Sequence, residues 1–210
     1  MHIEPGTLSA AKIALANVAA VGLLGSQAVE LVRKPQRIVR TLLAAVFFTL
    51  FMQIVHIPVG PSELHFVGAM PIYLSLGFVP TLLGFGVGLL LQGLLFTPTD
   101  LIHLGVNTLS LAVPLYLLHR TVGSRLKEVN VKTILKLDAL YYSGVTLMVG
   151  FWLSVGEVAT PLAAWGTFAL SYAAIVAVEP LLTWLVVRKL KRFEKTPLVS
   201  YCFDLPAKTA

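Results

Sequence analysis

Apolar stretches that reach or approach the length of a bilayer crossing follow one another along the chain, with only short polar connections between them. A helix needs roughly 20 apolar residues to cross a hydrocarbon core. Backbone N–H and C=O groups find no water there, so each segment must satisfy them internally, as a helix does. The charge content agrees: 12% of residues are Asp, Glu, Lys or Arg, against roughly 25% in a soluble domain. These features predict an all-α integral membrane protein, a bundle of about seven transmembrane helices. At 210 residues, one bundle is expected rather than two domains. It is assigned to residues 1–192, with a cytoplasmic C-terminal tail at 193–210. The segment from Met1 to Gly6 has no basic flank and no cleavage site of small residues, so the first span reads as retained rather than as a leader.

The spans are read as Thr7 to Val32, Arg37 to Val55, a short piece from Phe66 to Gly77, Thr81 to Phe96, Leu101 to Leu118, Leu137 to Val155, and Pro161 to Val187. Lys and Arg gather in three places: between the first two spans (Arg33, Lys34, Arg37, Arg40), from Arg120 to Lys136, and from Arg188 to Arg192. Basic residues mark the cytoplasmic side. Seven crossings with the N-terminus outside and the C-terminus cytoplasmic put all three clusters inside, whereas merging residues 66–96 into one span would place the last on the wrong face. The net charge of +6 therefore reflects topology and contact with anionic lipid, and no nucleic-acid partner is expected. The single cysteine, Cys202, excludes an internal disulfide or a thiolate metal cluster.

With this topology the outer ends collect four of the 5 histidines (His2, His56, His65, His103) and four of the 10 acidic residues (Glu4, Glu63, Asp100, Glu157). No loop between spans on that side carries Lys or Arg. Imidazole and carboxylate without competing cations attract a divalent metal ion. The positive-inside bias accounts for the missing cations but not for the histidines. His2 adds a chelate: the Met1 α-amine, the His2 amide nitrogen and the His2 ring close adjacent five- and six-membered rings and fill three corners of a square. Square-planar nitrogen sites favour Ni(II) or Cu(II), whereas zinc prefers a tetrahedron. Met1 is expected to stay, because the initiator is normally removed only before a small residue.

The opening Met1-His2-Ile3-Glu4-Pro5-Gly6 resembles the Met-His-Ile-Pro-Asp-Gly start of the CbiM/NikM family, the substrate-binding subunits of cobalt and nickel energy-coupling-factor transporters. The segment Pro61-Ser62-Glu63-Leu64-His65-Phe66-Val67-Gly68 is similar to that family's Ser-Gly-His-Leu-Val-Gly element. Gln92 to Phe96 and Leu104-Gly105-Val106-Asn107 are similar to its Gln-Ala-Leu-Leu-Phe and Leu-Gly-Ala-Asn elements. The matches run in order through the first half of the chain; the second half resembles the family only in hydropathy and topology.

The resemblance implies a multi-pass protein of the cell (inner) membrane that captures Ni(II) or Co(II) as transported substrate, without an organic cofactor. It implies metal ligation by Met1, His2 and His65, with Asn107 lining the site. It also implies a transmembrane coupling subunit and cytoplasmic ATPases as partners. The chain has no Walker A sequence, so ATP hydrolysis would reside in those partners and the chain itself is expected not to be an enzyme. The sequence departs from the family at Glu4-Pro5, which moves the acidic residue by one position, and at Ile102-His103, where Thr-Ala is usual. His103 and Asp100, three apart, are candidates for extra ligands or for hydrogen bonds to a ligating imidazole. His56 is given a weaker role, and its replacement is expected to be mild, whereas removing His2 or His65 is expected to abolish tight binding.

Two other functions stay open on the residues alone: a diverged metal-binding membrane protein acting without ATPase partners, and a histidine-ligated membrane redox protein. The latter wants facing histidines within helices, and these lie in outer loops. Glu179, before Pro180 inside the seventh span, is a candidate transit residue or a bonded structural acid. Asp138 is expected to cap the sixth span or to pair with Lys132 or Lys136. Small residues four apart (Ala10 and Ala14, Ala16 and Ala20, Gly84 and Gly88) are compatible with packing inside the bundle or with docking of a coupling subunit.

Overall fold

The computed structural model describes residues 3, 6–59, 62–126 and 128–206. The expectations placed on Met1, His2 and Glu4 lie outside the described residues. The chain forms α1 (Ala10–Arg33), α2 (Gln36–Ile54), a hairpin of β1 (His56–Val59) and β2 (Ser62–His65), and α3 (Ala69–Leu76). After these come α4 (Phe78–Leu95), α5 (Leu104–Thr121), α6 (Val131–Ser154), α7 (Leu162–Arg192) and α8 (Pro197–Cys202). Among the described residues, six helices are long and apolar enough to cross a membrane. The third expected span is the exception. Eight helical residues rise only about 12 Å, yet every residue of α3 is buried.

Segment 62–76 still carries the chain from one end of the bundle to the other. At one end His65 shares a cavity wall with Phe96 and Asp100. At the other, the Asp204 N–H donates to the Ser75 carbonyl at 2.7 Å, and the Tyr73 hydroxyl meets His119 Nδ1 at 2.8 Å. Arg40 joins the same end, donating to the Ser200 and Tyr201 carbonyls and pairing with Asp204 at 3.3 Å. The tail beyond residue 192 is thus packed onto the bundle at its basic end, which the positive-inside bias assigns to the cytoplasm. The histidine-bearing loops occupy the opposite end.

Two glycines delimit α3. Gly68 (φ 62°) and Gly77 (φ 88°) adopt the left-handed region, open to glycine at no steric penalty. The Gly-Phe-Val-Pro stretch read as a turn is only partly one: the break is Gly77 alone, and Phe78, Val79 and Pro80 form the first turn of α4. Proline is tolerated there because first-turn N–H groups have no intrahelical acceptor. Helix α6 likewise starts earlier than expected, at Val131, because Asn130 and Thr133 make reciprocal capping bonds of 2.9 Å. Asp138, expected as cap or lysine partner, is instead buried two turns in and faces Glu179.

Glu179 itself closes the bundle interior. One carboxyl oxygen accepts from the Met70 N–H of α3 at 2.9 Å, and the other accepts from the Tyr142 hydroxyl. It therefore caps the first turn of α3, where unpaired N–H groups and the positive end of the helix dipole favour an anionic or acceptor group. Around it the Tyr141 ring meets Tyr142 edge to face, with centroids 5.1 Å apart, and Tyr142 stacks on Tyr172 at 5.0 Å.

Small residues set the helix spacings. A Cβ on Gly88 would stand 2.5 Å from the Phe48 ring, and Gly84 lies against Ala44, so α2 and α4 touch backbone to backbone. Ala16 and Ala20 are buried, whereas Ala10 and Ala14 face outward. The first pair is thus interior packing and only the second is open to the surroundings. Leu15, Val21 and Val32 of α1 are also turned outward, at 71%, 72% and 84% exposure, as suits a helix whose solvent is lipid.

Among the described glycines the tightest approach to another backbone is at Gly105, where an added Cβ would lie 2.6 Å from Asn17 Cα and 2.7 Å from its nitrogen. Gly105 also donates its N–H to Asn17 Oδ1 at 2.9 Å. Backbone cannot yield as a flexible side chain does, so Gly105→Ala must separate α1 from α5. Thermal unfolding of the purified variant should show a loss of about 1–3 kcal/mol, the usual penalty of overpacking. Unchanged stability would contradict this close contact.

Candidate metal centre

The hairpin builds the site by register. His56 pairs with His65, Ile57 with Leu64, Pro58 with Glu63 and Val59 with Ser62. Side chains alternate along a strand, so Glu63 and His65 share one face, and the residue opposite His65 shares it too. That residue is His56. The two imidazole rings stack with centroids 4.9 Å apart and planes 7° from parallel. His56 Nε2 lies 3.1 Å from Glu63 Oε1, and His65 Nε2 lies 2.9 Å from Glu63 Oε2. One donor atom from each of the three lies within 4.8 Å of the others.

His65 is held from behind. Its Nδ1 stands 3.3 Å from the Met52 carbonyl at the end of α2. In the tautomer that donates from Nδ1 to this carbonyl, the Nε2 lone pair is left for a metal, the usual arrangement of a ligating histidine. The ring is almost wholly buried, whereas His56 is about half exposed.

These three side chains line a cavity of about 510 Å³, together with Gln92 at the end of α4 and Asp100 in the 3-10 turn Pro98–His103. Ile3, the residue after His2, is also part of the wall and is 1% exposed. Its N–H reaches Asn107 Oδ1 in a long hydrogen bond of 3.4 Å. Asn107 lies behind the cavity beside Gln92 and Asp100. The chain before α1 is fastened again further on, where the Glu157 N–H donates to the Thr7 carbonyl at 2.8 Å.

Electrostatics favour a cation. Lys12 is tied to Glu157 at 2.6 Å, and this hydrogen bond holds the Glu157 carboxyl below the usual carboxylate range. The pair cancels, leaving Glu63 and Asp100 as the carboxyls that face the cavity among the described residues.

Of the residues singled out in the sequence, the fold brings His65 and Asp100 into one wall and places Asn107 behind it. His103 is fully buried, does not line the cavity, and has no hydrogen-bond partner on either ring nitrogen among the described residues. Glu157 leaves the metal-attracting set by pairing with Lys12. His56 and Glu63 enter the site instead. The signal for them was available: positions 56 and 65 flank Gly60-Pro61 symmetrically, and strands pairing across those two residues must set the histidines opposite each other.

The fold has solved counterparts. A structure described as that of a transition metal transporter superposes with a TM-score of 0.73 at 20% identity, covering 95% of this chain and 96% of the other. A second, described as a truncated transition metal transporter, gives a TM-score of 0.70 at 21% identity over 92% of this chain and 99% of the other. At such identities the likeness speaks for the fold alone. Comparison with curated proteins returns no match. Residues 2–197 match the family described as CbiM, cobalt uptake substrate-specific transmembrane region, and the chain belongs to that family, as a multi-pass membrane protein that serves metal transport.

Proposed function

We propose that the chain is the substrate-capturing subunit of a transition-metal importer, binding Ni(II) or Co(II) between its N-terminal nitrogens and His65. The observation that carries this reading is the position of Ile3. A residue directly bonded to His2 is buried in the wall that also holds His65, and its N–H is engaged by Asn107. A chelate of the Met1 amine, the His2 amide and the His2 ring would need one further nitrogen to complete a square plane. His65 Nε2 is the donor assigned to it, with the Met52 carbonyl setting its tautomer.

Import against a gradient needs an energy source that this chain lacks. A transmembrane coupling subunit and cytoplasmic ATPases are assigned as its partners, and catalysis of ATP hydrolysis to them. Metal binding would order the hairpin, and the ATPases would drive the reorientation that releases the ion inward.

The test is isothermal titration of detergent-purified protein that begins at Met1, against Ni(II), Co(II), Cu(II) and Zn(II), beside a version with residues added ahead of Met1. The extension turns the amine into an amide and should reduce affinity more than about 100-fold, beyond the 10–100-fold that outer hydrogen-bond partners of a ligand are worth. Undiminished affinity in the extended protein would remove the chelate from the site.

A further inference from the structure

We propose that His56, Glu63 and His65 form an outer metal station at the cavity mouth, separate from the N-terminal chelate. It would take a borderline divalent cation such as Ni(II), Co(II) or Zn(II). The station stands on the hairpin geometry alone; the transfer from it to the chelate rests on the reading above.

The donors converge. Both Nε2 atoms point to oxygens of one carboxylate, at 3.1 and 2.9 Å, and the group spans no more than 4.8 Å. Ligand bonds of about 2.0–2.2 Å place neighbouring ligands about 3–4 Å apart, so closing around an ion takes a contraction of at most about 1–2 Å. The two rings are already parallel, and the strand register fixes their separation. Two imidazoles and one carboxylate suit borderline ions, whereas Mg(II) and Ca(II) want oxygen.

Exposure gives the station its direction. The side chains are 52%, 32% and 2% exposed for His56, Glu63 and His65. An arriving ion meets His56 and Glu63 at the surface, and His65 joins both stations. Transfer is then a ligand exchange with no change of oxidation state. The ion keeps its bond to His65 Nε2 while Glu63 and His56 leave; the amine and amide nitrogens that take their places give up their protons, to the released Glu63 carboxylate and to solvent. A neutral ring entering the outer station moves its hydrogen from Nε2 to Nδ1. For His65 that hydrogen finds the Met52 carbonyl.

The experiment removes the chelate first. Protein extended ahead of Met1 and carrying His2→Ala is titrated with Ni(II) and Zn(II). One ion per chain should still bind, more weakly than to the intact protein, and His56→Gln or Glu63→Gln should each lower that residual affinity by about tenfold or more. X-ray absorption of the Ni(II)-loaded extended protein, which needs neither of these variants, should show two imidazoles on the metal.

No residual ion, fewer than two imidazoles, or indifference to both substitutions would overturn the station and leave the chelate untouched. Residual binding in the extended protein, with no tighter binding in the intact one, would support the station while removing the chelate. For the transfer step, stopped-flow loading of intact protein with Ni(II) should slow by about tenfold in His56→Gln. An unchanged rate would refute the handover.

Discussion

His65→Ala should lose more than about 100-fold in Ni(II) affinity, because outer hydrogen-bond partners alone are worth about 10–100-fold and His65 is itself a proposed ligand. The loss should exceed that of any single change at His56 or Glu63, since His65 belongs to both stations. The backbone pairing of β1 with β2 does not involve the ring, so the hairpin should persist. Two measurements separate lost binding from lost folding. Thermal unfolding in metal-free buffer should change little. The rise in midpoint that saturating Ni(II) gives the unaltered protein, about 2.7 kcal/mol of added stability at 100-fold excess over Kd, should vanish. A retained metal-dependent rise would place the ligating imidazole elsewhere.

The second large effect lies in the bundle interior. Glu179→Ala leaves the Met70 N–H and the Tyr142 hydroxyl without their acceptor, in a fully buried site that lipid surrounds. Each orphaned donor costs about 1–3 kcal/mol, so the variant should lose about 2–6 kcal/mol in thermal or denaturant unfolding. Glu179→Gln keeps an acceptor and should recover much of this. Met70 is five residues beyond His65, so the alanine variant should also weaken Ni(II) binding, and the glutamine variant should restore it. Equal behaviour of the two substitutions would show that the cap is not what Glu179 supplies.

Much of this architecture is legible in the sequence. Apolar length and the placement of Lys and Arg give the crossings and their direction, because the bilayer imposes those constraints on each segment separately. The third span is harder. Twelve residues from Phe66 to Gly77 are too few for a helix across the core, and the chain crosses by running extended through β2 before it coils. That solution depends on tertiary support, Glu179 at one end and Asp204 at the other, which no local pattern encodes. A bonded structural acid was one reading of Glu179, but its partners could not be named, since Met70 and Tyr142 lie 109 and 37 residues away.

At the candidate metal centre, residue chemistry pointed to the end of the molecule that holds the cavity and to His65, which lines it. It did not set His56 opposite His65, because the hairpin register that positions 56 and 65 encode was not read, and it did not foresee that Glu157 pairs with Lys12, 145 residues away. The spacing offers Asp100 and His103 together as candidates; Asp100 lines the cavity and His103 does not.

Helix α3 begins four residues after His65 and ends at Leu76, directly before Gly77, which lies against Asp204, and the Ser75 carbonyl is held by the Asp204 N–H. It is therefore a strut wedged between the receiving mouth and the opposite face. A helix resists compression along its axis. A hairpin drawn inward around an ion has to push on the tail or pivot the strut about Glu179, and either motion is felt where Arg40 grips residues 200, 201 and 204. With an ion held as proposed, the far face would have a mechanical means of sensing whether the mouth is loaded.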